Sequence, residues 1–147
     1  MDFDTTVKLA IYGTLAETAA APTAADVARR IGADVTDVQA SFQRLHKKRL
    51  LVPEPGDPSR IRMAPPFSGV PTPLLVRARG KAYFANCVWD ALGVAAALHE
   101  DAIVEASDGH THEPMTLVVR GGDALPQPCV IHFAVPAAKW GDDIIYT

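Results

Sequence analysis

Apolar residues at helical spacing organise the first third of the chain. Val7, Ile11 and Leu15 recur every fourth residue, with Leu9 and Tyr12 beside them, and this spacing predicts a first amphipathic helix. Ala21-Pro22-Thr23 interrupts it. Thr23 followed by Asp26 reads as the start of a short second helix, with Val27 and Ile31 inward and Gly32 as its C-terminal stop. Val35, Val38, Phe42 and Leu45 mark a third helix. The period then shortens. Leu50-Leu51-Val52 reads as a strand, Pro53 to Pro58 as a turn, and Arg60 to Met63 as the returning strand. Three helices followed by a hairpin is the order of a winged helix-turn-helix.

Residues 64–73 hold Pro65, Pro66, Pro71 and Pro73, an extended connection stiff enough to imply a fixed relation between its two sides. Beyond it, Leu74-Leu75-Val76, a turn at Gly80 and Tyr83-Phe84-Ala85 read as two strands. Asn86 is the expected cap of a helix running to about Leu98. Further strands are expected at Ala102–Val104, Met115–Val119 and Val130–Val135, and the terminal run Ile144-Ile145-Tyr146-Thr147 reads as another beginning. The expected class is α+β. A three-helix winged-helix-like domain (1–63) leads through a Pro-rich linker (64–73) to a small mixed β-sheet domain with one main helix (74–147).

Composition changes this picture little. The 48% hydrophobic and 21% charged content of the 147 residues is that of a globular chain, and no apolar run is long enough to span a bilayer. The acidic start Met1-Asp2-Phe3-Asp4 is unlike a secretory signal, so a cytoplasmic setting with reduced thiols is expected. Residues 1–76 carry nine Lys/Arg against eight Asp/Glu, and residues 77–147 five against nine. Neither half has the basic excess that nonspecific nucleic-acid binding requires.

The candidate chemistry centres on Cys87 and Asp90, three residues apart and on one helical face. A thiol in the first turn of a helix meets unpaired N–H groups and the positive end of the dipole, which favour a thiolate. The plainer role, a small packed hydrophobe, is the commoner one for a free cysteine, and Asp90 could equally serve as the capping acid for Asn86. Asp108, His110, His112 and Glu113 suggest a transition-metal loop, although a solvated turn is the favoured reading. His46, His99 and His132 have no partner legible in sequence, and Cys129 reads as a packed strand residue. Arg44, His46, Lys47, Lys48 and Arg49 form a basic cluster at the end of the third helix. Asp34 and Asp37 sit at its start, where base-reading side chains would lie, and argue against DNA.

Tyr83-Phe84-Ala85-Asn86-Cys87-Val88-Trp89-Asp90-Ala91-Leu92-Gly93 resembles the active-site segment of the organomercurial (alkylmercury) lyase family. Residues 64–73 look like that family's linker, and 131–144 are similar to its segment before a final strand. The resemblance implies protonolysis of carbon–mercury bonds, with Cys87 as mercury-binding nucleophile, Asp90 as proton-transfer group, and both as metal ligands. It implies no resident cofactor: mercury is substrate and product, and a small thiol is the expected co-reactant. The expected partner is a small organomercurial or Hg(II), with nucleic acid less favoured and a homodimer among the allowed assemblies. The family's second cysteine follows the segment resembling Ile144–Thr147, so the last domain is expected to be incomplete at its C-terminus. The alternative function is a noncatalytic metal-responsive or DNA-binding winged-helix regulator.

Overall fold

The computed structural model describes residues 1–143, so the strand expected at Ile144–Thr147 lies outside the described residues. Helices α1 (Phe3–Thr18), α2 (Ala24–Ile31) and α3 (Val35–Lys47) occupy the predicted places. Asp2 caps α1 through the Thr5 N–H, and Thr23 and Asp26 form a reciprocal capping box on α2. Gly32 closes α2 in the left-handed conformation. Val7, Ile11, Leu15, Val27, Val38, Phe42 and Leu45 are buried together, while Val35 is 40% exposed and outside the core.

A three-stranded sheet follows, ordered β1 (Val52–Glu54), β2 (Asp57–Ala64), β3 (Phe67–Ser68). The first strand starts two residues later than its apolar run suggests. Leu51 is spent on the core, and its carbonyl lies 3.0 Å from Nδ1 of His46. Within the expected linker, β3 pairs with β2, and Gly69 donates to the Arg62 carbonyl at 2.7 Å. Gly69 has no room for a side chain, because a Cβ would fall on the Ile61 carbonyl oxygen.

The second sheet is ordered β5-β4-β6-β7-β8, from β4 (Leu74–Ala78), β5 (Lys81–Ala85), β6 (Ala102–Ser107), β7 (Pro114–Arg120) and β8 (Asp123–Ala124). The class is α+β, as expected. Within it, every described ladder is antiparallel, where the pattern suggests mixed pairing. The physical reason is the connections. Arg79 and Gly80, both left-handed, make the tight turn that forces β4 against β5. The long crossover from β5 through α4 (Val88–Leu98) to β6 does join strands of like direction, but β4 lies between them. Ala91, Val94, Ala95 and Leu98 turn α4 onto this sheet, in one core with Val76, Tyr83 and Val104.

Three rings tie the halves together. Phe67 lies between Tyr12 (centroids 6.2 Å apart) and Tyr83 (5.8 Å). Tyr12 donates to the Pro65 carbonyl at 2.7 Å and Tyr83 to that of Ala16 at 2.9 Å, so both hydroxyls are satisfied by carbonyls distant in the chain. The strand expected at Val130–Val135 does not form. Its β-branched residues lie between Pro128 and Pro136, and Val130 is 91% exposed, with neither a ladder nor a packed face among the described residues to reward extension. Among the described residues, no helix is long and apolar enough to cross a membrane.

Candidate active site

The site begins where β5 hands over to α4. Thr72 donates its hydroxyl to the Ala85 carbonyl at 2.5 Å and holds the end of the strand. Asn86 leads into Cys87, which is extended (φ −141°, ψ 173°) and is itself the N-cap of α4, one residue later than expected. Its sulfur takes the place usually held by a capping oxygen, accepting the Asp90 N–H at 3.5 Å. The thiol in turn donates to Oδ2 of Asp90 at 3.5 Å. One residue's backbone and carboxylate therefore both address one sulfur.

Both groups are half-buried, and Trp89 between them is 61% exposed. Burial pushes the Cys87 thiol above its ordinary range; the Asp90 N–H works against this, and the Asp90 charge adds to it. The thiolate expected from the helix terminus is thus not the resting form, because desolvation and a neighbouring anion outweigh the dipole. Burial also raises Asp90, offset in part by the S–H bond it accepts. Both groups are thus shifted upward and joined by a single S–H to carboxyl hydrogen bond.

Cys87 opens into a cavity of about 230 Å³ whose other walls are Val88, His132, Phe133, Ala134, Val135 and Trp140. Phe133 and Trp140 are in ring contact at 5.0 Å, and the Trp140 indole N–H donates to the Val135 carbonyl at 3.0 Å. The result is a small chamber of mixed polarity, in which aromatic and aliphatic side chains surround one sulfur and one imidazole. His132 reaches it from an exposed loop, not from a strand core or edge. The signal available for these wall residues was the likeness of the 131–144 segment, since periodicity alone pointed to a strand.

Other candidates separate from the site. Cys129 is exposed, not packed in a strand, and is absent from the cavity wall. Asp108 accepts the N–H groups of His110 (2.8 Å) and Thr111 (2.7 Å), so the His110/His112 loop is the solvated turn favoured above. Among the described residues, no group of three or more His, Cys, Asp or Glu could hold a metal ion. Of the basic cluster, Arg44 (2.7 Å) and Lys48 (3.3 Å) are bound to Asp4. A larger hollow of about 640 Å³, near His99 and Gly121 at the far end of α4, contains no thiol.

The alkylmercury lyase (MerB) family model matches residues 67–147, more than half of the chain and all of the site. The chain belongs to the alkylmercury lyase family. Among solved structures, the mercury-bound form of MerB2 is similar in fold, with a TM-score of 0.61 at 20% identity. The match covers 84% of this chain and 65% of that one, so the chain spans less than two thirds of that protein's length. No protein with a curated description matches it.

Proposed function

We propose that this protein is an organomercurial-lyase-like protein that binds mercury through Cys87 and cleaves the carbon–mercury bond by protonolysis, with Asp90 moving the proton. The observation that carries this reading is the Cys87–Asp90 contact at 3.5 Å, with Cys87 opening into a small chamber inside the family-matched segment. Sulfur is the preferred protein donor for a soft metal. As the sulfur–mercury bond forms, the Cys87 proton passes to Asp90 and the mercurial's anionic ligand departs. Thiolate donation then raises electron density on the bound carbon. Asp90 returns the proton to that carbon, the carbon–mercury bond breaks, and a hydrocarbon leaves with Hg(II) still on sulfur. Small thiols in a cytoplasmic setting would draw the ion away.

In this reading residues 74–147 carry the chemistry, the 64–73 linker sets their place, and residues 1–63 are a winged-helix-like scaffold. The regulator alternative is disfavoured by Asp4, which occupies Arg44 and Lys48, and by Asp34 and Asp37 at the start of α3. The test is incubation with a phenylmercury salt and excess thiol, following benzene release by gas chromatography. Cys87→Ser is expected to abolish both release and mercury retention. Asp90→Asn is expected to keep retention while slowing release by about 10²–10⁴-fold, the usual worth of a positioned proton donor. Mercury retention unaffected by Cys87→Ser would refute the assignment.

A further inference from the structure

The outer wall of the Cys87 cavity belongs to no sheet in the described residues, so what holds it in place decides how open the sulfur is. The segment closes on itself through the Trp140–Val135 hydrogen bond (3.0 Å), the Phe133–Trp140 ring contact (5.0 Å) and a 3₁₀ turn at Ala137–Lys139. Such a closed loop keeps its own shape but still needs a fixed point on the body of the protein. Directly after Trp140 comes Gly141. A Cβ there would meet Nη1 of Arg49 at 2.8 Å and Cζ at 3.0 Å, so the guanidinium lies against the bare glycine backbone.

Arg49 belongs to the helical half, between α3 and β1, and its own backbone is well fixed. It is left-handed (φ 58°), its N–H donates to the His46 carbonyl at 2.8 Å, and Leu50 donates to that of Leu45 at 3.0 Å. The residue types fit the contact: the bare glycine leaves the guanidinium space that any side chain there would take. Whereas Arg44 and Lys48 are held by Asp4, Arg49 reaches toward the site.

We infer that Arg49 is a positioning residue of the Cys87 site. It pins Gly141, and through it the Trp140–Phe133 wall, so that the helical half sets access to the sulfur. The inference rests on Cys87 being the site's reactive sulfur but not on carbon–mercury cleavage.

The test uses the full chain in a Cys129→Ser background, where Cys87 is the sole thiol, and follows its reaction with an aromatic disulfide reagent. Arg49→Ala, which removes the guanidinium, should speed labelling by about fivefold or more, because the wall opens without global unfolding. Arg49→Lys should restore part of the protection, and Lys47→Ala should leave the rate unchanged. With phenylmercury, the Arg49→Ala defect should fall mainly on KM. A wild-type labelling rate in Arg49→Ala would overturn the inference. So would an equal acceleration in Lys47→Ala accompanied by a lowered melting temperature. If the wild type releases no benzene, the lyase reading falls while the labelling comparison still decides the role of Arg49.

Discussion

At the scale of single residues, the site turns on where one proton sits. Cys87 has the helix-terminal position that usually lowers a thiol, yet burial and the Asp90 charge hold it protonated. Its alkylation by iodoacetamide should therefore rise with pH around a midpoint above the ~8.5 of an unperturbed cysteine. Removing the charge should move the midpoint down, so Asp90→Asn should react faster than the parent at pH 8. Stopped sampling with mass spectrometry in the Cys129→Ser background reads both, and a midpoint below that of a cysteine peptide would contradict the assignment. The i, i+3 spacing of Cys87 and Asp90 was legible in the sequence, because helical geometry alone brings such residues together. Their protonation was not, since it depends on how much chain covers them.

At the scale of elements, the helices were the most readable parts. Their caps and periods are local, and Thr23, Asp26 and Gly32 act as their types dictate. Strands were less so. The Val130–Val135 run has strand composition but joins no ladder among the described residues, whereas β3 and β8, two residues each, carry no pattern of their own and exist through their neighbours. The β3 turn depends on the close approach of Gly69 to Ile61. Gly69→Ala must push apart two backbones, not a flexible side chain, and should cost about 2–4 kcal/mol. Urea unfolding checks this, and a cost below about 0.5 kcal/mol would mean that the turn relaxes freely.

At the scale of the whole molecule, one carboxylate organises much of the helical half. Asp4 is mostly covered and accepts from Ser41 (2.7 Å), Arg44 (2.7 Å) and Lys48 (3.3 Å). The Arg44 hydrogen bonds, then that of Ser41, hold its carboxyl well below the usual range. A depressed carboxylate stabilises the fold above its unfolded pKa, near 3.9, and the contribution fades as pH falls toward the folded value. Asp4→Asn should thus cost about 1–2 kcal/mol at pH 7, discounted for the exposure of Arg44 and Lys48, and progressively less below pH 4. Chemical denaturation at pH 7 and pH 3 measures the difference; an equal penalty at both would show that packing, not charge, is responsible. The basic cluster read from the sequence as one surface feature is divided by this residue and by Gly141 into separate jobs.

The helices and their caps, the α+β class, the family likeness and the closeness of Cys87 to Asp90 could all be read from the residues alone. All of these follow from spacings of a few residues or from ordered segments. Long-range contacts set the all-antiparallel pairing, the upward shift of the Cys87 thiol, the walls that His132, Phe133 and Trp140 give to the chamber, and the closeness of Arg49 to Gly141. Desolvation, ladder partners and long contacts are set by residues far apart in the chain, and no local pattern encodes which of them will meet.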